Sequence, residues 1–88
     1  MRRAVKGDSM TGKHILHGDI AILEQRNEAR TGDVVAALID GESTLKIYEH
    51  KSGKPFLRAA NPRYRDMHPA SELAVQGILV GLVRSLSR

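Results

Sequence analysis

At 88 residues the chain has room for one small domain with one modest core. It contains no cysteine, which excludes a disulfide framework or a cysteine zinc site without deciding the compartment. The formal charge is +4, yet lysine and arginine are scattered rather than gathered on one helix, and the only aromatic residues, Tyr48, Phe56 and Tyr64, are too few to stack single-stranded bases. The core must therefore be built mainly from Ile, Leu, Val and Ala.

Met1-Arg2-Arg3 is basic, but no apolar h-region follows it, so no signal peptide is expected. Gly7-Asp8-Ser9-Met10 is rich in turn formers and reads first as a loop. Met10 to Lys13 is short and polar, with room for one helical turn. His14 and His17 stand three apart, a spacing that can ligate a metal on a helix. No further ligand completes a set nearby and Gly18 argues against a continuing helix, so both read as loop residues and no metal is expected.

Ile20 to Glu24 is an apolar run rich enough in β-branched residues for a strand. Gln25 to Thr31 is a solvated connection, Gly32-Asp33 a turn, and Val34 to Ile39 a second apolar run. Asp40-Gly41 then separates it from Ser43-Thr44-Leu45-Lys46-Ile47-Tyr48, a strong short-range signal for a hairpin. On that second strand Thr44, Lys46 and Tyr48 share one face while Leu45 and Ile47 share the other. A further turn at His50–Lys54 leads to a short strand, Pro55–Ala59. Asn61-Pro62 begins a polar loop, because the residue before proline is pushed out of the helical region.

Leu73 to Val83 is the longest apolar stretch, too short to span a membrane as a helix. Its glycines disfavour a helix, so it reads as one bent strand with Gly77 or Gly81 at a bulge or close approach. The result is about five strands joined by turns: an all-β fold. Ile20, Ile22, Val35, Leu38, Ile47, Leu79 and Val80 are the expected core.

Two residues carry candidate chemistry. Serine needs a base to become a nucleophile, and a desolvated, neutral lysine can be that base. Lys46 lies 37 positions after Ser9, among apolar and β-branched neighbours that can carry it into a dry site. Ser43-x-x-Lys46 offers a rival pairing, the S-x-x-K pattern of penicillin-recognising enzymes. That pattern needs a helix; on a strand Ser43 and Lys46 face opposite ways, so Ser43 is rejected as the nucleophile.

Taken together, Gly7-Asp8-Ser9-Met10, His17-Gly18-Asp19, Gly32 to Ala36, Thr44-Leu45-Lys46-Ile47, Leu57 through Asn61 to Tyr64, and Gly77 through Gly81 to Arg84 resemble the serine–lysine peptidase domain of the LexA/UmuD family. The likeness runs almost end to end, and the order and the serine–lysine separation match. The resemblance implies a curved, partly closed antiparallel sheet of the LexA and signal-peptidase type. It implies a serine endopeptidase with Ser9 as nucleophile, Lys46 as general base, and the backbone N–H groups of Ser9 and Met10 as the oxyanion site. No cofactor is called for. A lysine pKa of about 10.4 must be lowered by burial for this chemistry at neutral pH. Bacterial signal peptidases share the chemistry, but their membrane anchor and the Gly-Asp-rich segment after the lysine strand are not found here.

The resemblance also implies a setting. Family members cut themselves at an Ala-Gly or Cys-Gly bond in the DNA-damage (SOS) response, under a RecA-type activator, in the cytoplasm. They form homodimers, bind DNA only through a separate helix-turn-helix domain, and need no membrane. No Ala-Gly or Cys-Gly bond occurs in these 88 residues. The expectation is thus one LexA-like domain over residues 1–88, without the cleavage segment or a DNA-binding domain. The alternative is a non-catalytic assembly module, the dimerising part of a repressor or of an error-prone polymerase subunit.

Overall fold

Turn chemistry divides the chain into strands. A computed structural model describes residues 1–86 and contains β1 (Arg2–Ala4), β2 (Ile20–Gln25), β3 (Val34–Ile39), β4 (Glu42–Lys51), β5 (Lys54–Arg58) and β6 (Leu73–Val83), with a single 3-10 turn at Thr11–Lys13. The fold is all-β, as expected. The strands form one sheet in the order β1-β2-β6-β3-β4-β5, every pairing antiparallel.

The Asp40-Gly41 hairpin forms as its sequence predicts, both residues in the left-handed region at φ 50° and 83°. It does more than reverse the chain. The Asp40 carboxylate accepts the backbone amides of Ala70, Ser71 and Glu72 at 2.7–3.1 Å, which docks the loop leading into β6.

β6 lies between β2 and β3 and carries the two irregularities that bend the sheet. Its register with β2 skips Val80, next to Gly81, and its register with β3 skips Gln76, next to Gly77. Each skipped residue is a bulge, which adds twist and curvature. Gly77 also marks a close approach: a Cβ there would lie 2.8 Å from Met1 Cε and 3.2 Å from the Glu24 carbonyl oxygen. The glycine-linked bend expected in this strand is therefore present at two points.

Both faces of the sheet are covered. Val5, Met10, Ile15, Ala21, Leu23, Ala36 and Ile47 form one buried cluster. Val35, Ala37, Ile39, Leu57 and Ile78 form the other. Of the expected core, Val35 and Ile47 are fully buried, while Ile20, Ile22, Leu38 and Leu79 are half-buried. Val80 is a correction: it is 61% exposed, because the bulge turns it outward. On β2 the smaller Ala21 and the more distant Leu23 face inward in place of the two isoleucines. β1 was not anticipated either, since three residues headed by two arginines carry no alternating pattern.

Ile47 is the large side chain that ties β4 to the cluster beneath Val5 and Met10. Ile47→Ala should cost about 2–5 kcal/mol of stability, the usual range for deleting a large buried aliphatic side chain. Urea unfolding measures it; a midpoint equal to the parent's would count against this packing.

Candidate active site

The sheet order sets β1 and β4 apart, with β2, β6 and β3 between them. In a flat sheet four strand spacings would separate them by about 19 Å. Instead the Arg3 guanidinium on β1 donates a hydrogen bond to the Ser43 hydroxyl on β4. The sheet is therefore curled until its two sides face each other across a cavity of about 470 Å³. Ser9 and Lys46 both line that cavity, together with Arg3, Lys6, Ser43 and Thr44.

Both walls expose backbone. Met1 and Val5 exchange hydrogen bonds with Leu23, Asp19 and Gly18 on the β2 side. Because successive residues of a strand point their amide and carbonyl groups in opposite directions, those of Ala4 and Lys6 face the cavity. On β4, pairing with β5 begins only at Ile47, so among the described residues Glu42–Lys46 has one edge with no strand beside it. Tyr48 bonds toward β3, and the same alternation turns the backbone of Ser43 and Leu45 to the free edge.

The turn bearing Ser9 is held at several points. Gly7 takes φ +80°, and its N–H donates to His17 Nδ1 at 2.9 Å. The Asp8 carbonyl accepts from Asn61 Nδ2 at 2.8 Å, and the Asp8 carboxylate accepts from the Tyr64 hydroxyl. Met10 is buried in the core. Gly12 donates its N–H to the Ala60 carbonyl at 2.6 Å, an approach so close that a Cβ would lie 2.5 Å from that oxygen. Among the described residues the amides of Ser9 and Met10 donate to nothing, which leaves two N–H groups free beside the serine.

Lys46 is half-buried. Burial pushes its ammonium pKa down; the positive charge of Arg3 adds to this, and Glu42 opposes it. The amine donates to Thr44 Oγ1 at 2.7 Å, and it forms no hydrogen bond with Ser9 in this state. Thr44 shares a strand face with Lys46 at i and i+2, a spacing that could have identified it as the amine's partner. Ser43 and Lys46 lie on one strand, not a helix, as their rejection as a pair required.

The two histidines have separate positions. His17 accepts the Gly7 amide through Nδ1, so it supports the serine turn, a role its flanking sequence did not signal. His14 sits in the left-handed region at φ 60° and offers its carbonyl to Arg84. Arg84 also clasps the buried carboxylate of Asp19 through both oxygens, each at 2.8 Å, and Asp19 accepts the Leu16 amide as well. Arg84 hydrogen bonds first, and the Leu16 amide second, hold the Asp19 pKa down at about 2. This clasp closes the loop that carries His17 against the end of β6.

Comparison with known proteins bears on the family of the chain. A family model described as Peptidase S24-like matches residues 3–80. The LexA repressor of Verrucomicrobium spinosum is 61% identical over 80 residues, covering 91% of this chain and 39% of that protein. The LexA repressor of Opitutus terrae is 49% identical over 85 residues, covering 96% of this chain and 42% of that protein. That of Leptospira interrogans serovar copenhageni is 45% identical over 80 residues. The chain thus spans about two-fifths of the length of the relatives it matches. Among the described residues no helix is long and apolar enough to cross a membrane.

Asp19 and Asp40 should make the fold sensitive to acid. The amides of Ala70, Ser71 and Glu72 bring the Asp40 pKa to about 2, like that of Asp19. A carboxylate depressed in the folded state stabilises above its ordinary pKa of about 3.9, and that contribution is lost as pH falls through the folded value. Stability should therefore decline between about pH 4 and pH 2. Asp19→Asn and Asp40→Asn should each be less stable at pH 7 and show a shallower acid decline. Urea midpoints against pH test this; curves that superimpose on the parent's would remove these two carboxylates from the account.

Proposed function

The chain belongs to the Peptidase S24-like family, and on that premise we propose that it is the serine peptidase domain of a LexA/UmuD-like protein, with Ser9 as nucleophile and Lys46 as general base. The observation that carries this reading is the shared cavity: a serine beside two free amides and a half-buried amine of lowered pKa line one groove between two free strand edges.

The substrate is a peptide in extended form. It enters between β1 and β4 and adds a strand to the exposed edges, with Ala4 and Lys6 on one side and Ser43 and Leu45 on the other. Neutral Lys46 Nζ accepts the Ser9 Oγ proton as Oγ bonds to the scissile carbonyl carbon. The carbonyl oxygen becomes the oxyanion and is met by the Ser9 and Met10 N–H groups. The tetrahedral intermediate collapses, the C–N bond breaks, and Lys46 passes its proton to the leaving amine. Water, deprotonated by Lys46, then attacks the acyl-serine carbonyl; the C–Oγ bond breaks, Lys46 returns the proton to Oγ, and the acid is released. Thr44 Oγ1, by accepting one N–H of the amine, limits its rotation and orients the lone pair. Arg3 favours the neutral amine by charge repulsion.

In this reading the substrate bond is the Ala-Gly or Cys-Gly bond of the family, the setting is the cytoplasmic SOS response with a RecA-type activator, and DNA is bound through another domain. These elements rest on the LexA likeness. A peptide spanning an Ala-Gly bond, supplied in trans, tests the chemistry. The parent should cleave it at a rate that rises with pH as Lys46 loses its proton, the rise centred below the ordinary lysine value. Ser9→Ala should abolish cleavage. Lys46→Arg should also abolish it, because arginine stays protonated. Full activity in Lys46→Arg would overturn the dyad.

The assembly reading has its own support and can coexist with catalysis. β3 pairs with β6 only at Leu73–Ile78, so among the described residues Leu79–Val83 has a strand, β2, on one edge alone. Val80, Leu82 and Val83 are exposed there. A second copy of that strand, related by a two-fold axis, would complete the edge and cover the apolar side chains. Sedimentation should show a dimer in the parent and a weaker one in Val80→Lys. A parent that stays monomeric at high concentration would exclude this contact.

A further inference from the structure

Two polar contacts from a distant loop converge on the residue before Ser9, and a third braces the loop that makes them. Asn61 Nδ2 reaches the Asp8 carbonyl, the Tyr64 hydroxyl reaches the Asp8 carboxylate, and the Asn61 side-chain oxygen accepts the Arg63 amide at 2.9 Å. The last of these braces the short segment Asn61–Tyr64 internally, as does the Tyr64 amide donating to the Asn61 carbonyl at 3.0 Å. The loop is itself anchored where Ala60 accepts the Gly12 amide. More than 50 residues separate these partners in sequence, so the contacts are tertiary.

Their placement matters more than their strength. Ser9 sits between Asp8, held by this loop, and Met10, buried in the core. Rotation of the Asp8–Ser9 peptide would move both Oγ and the two free amides beside it. Asp8 and Tyr64 are exposed, where a hydrogen bond contributes little to global stability, so its consequence is expected locally. A charge-assisted bond from a phenol to a carboxylate is nonetheless short and directional. We propose that Tyr64, seconded by Asn61, is a positioning residue that latches Asp8 and thereby aims the Ser9 hydroxyl and the Ser9 and Met10 amides into the cavity. The catalytic part of this proposal rests on the peptidase reading; the ordering of the turn does not.

Tyr64→Phe keeps the ring and removes only the hydroxyl. Nitrogen-15 relaxation of the chain reads the turn directly, whether or not any peptide is cut. Tyr64→Phe should lower the order parameters of the Asp8, Ser9 and Met10 amides with its melting temperature unchanged. Asp8→Ala should do the same, and the double variant should be no worse than either single one, since all remove one contact. Unchanged order parameters in Tyr64→Phe, or effects that add in the double variant, would overturn the latch. With the Ala-Gly peptide, Tyr64→Phe should lower kcat by about tenfold or more with KM little changed, as expected for a misplaced nucleophile. A parent that cleaves nothing would count against the peptidase reading alone. An active parent matched in kcat by Tyr64→Phe would overturn the latch alone.

Discussion

Everything at the candidate site depends on the sheet failing to lie flat. β1 and β4 are separated by three strands, and only curvature can set the Arg3 guanidinium against the Ser43 hydroxyl. The bend is concentrated in β6, which faces β2 along one half and β3 along the other, with a bulge in each pairing. A residue added to one strand but not to its partner forces the longer strand to arch. Leu79–Val83 lie beyond the end of β3, so among the described residues that half of β6 is paired with β2 alone.

Closing without sealing has an electrostatic consequence. The two sides of the curled sheet exclude enough water to disfavour a charged amine, yet they leave a cavity between them. Glu42 favours the charged Lys46 amine, but it makes no hydrogen bond to it and its effect is smaller than that of burial. The partner the amine has is neutral Thr44. The ion pair of buried Asp19 with Arg84 is placed instead at the far end of the His17 loop, where it fixes backbone.

Much of this was legible in the sequence because turns and apolar runs are local signals. Asp40-Gly41, Gly32-Asp33 and the glycines of the last strand gave the strand boundaries to within a few residues, and the Gly7–Met10 and Thr44–Ile47 segments pointed to Ser9 and Lys46. Which face of a strand is buried was less legible. Ile20 and Ile22 are more apolar than Ala21, yet Ala21 is fully buried while the two isoleucines, on the other face of the strand, are half-buried. Val80 reads as core until the bulge rotates it outward. β1 is visible only through its pairing with β2, a tertiary fact. The contacts of Arg3, His17 and Tyr64 join residues 10 to 56 positions apart, and no pattern in one sequence announces such a meeting.

The scattered motifs nevertheless have a common explanation in space. Gly7–Met10 supplies the serine turn. His17 sits on the loop that meets it through the Gly7 amide, and Asp19 of the same loop accepts the Val5 amide just before it. Asn61 and Tyr64 meet it from the other side at Asp8, and Arg84 fixes the His17 loop from the end of β6. Thr44 and Lys46 face it across the cavity. Segments that look like unrelated punctuation along the chain are thus the points where separate loops grip one four-residue turn. A nucleophile on a loop has no helix or strand to hold it, so its geometry must come from side chains and backbone groups of several other elements. Three of the segments that carry the resemblance to the family, Gly7–Met10, His17–Asp19 and Asn61–Tyr64, are thereby joined at one turn.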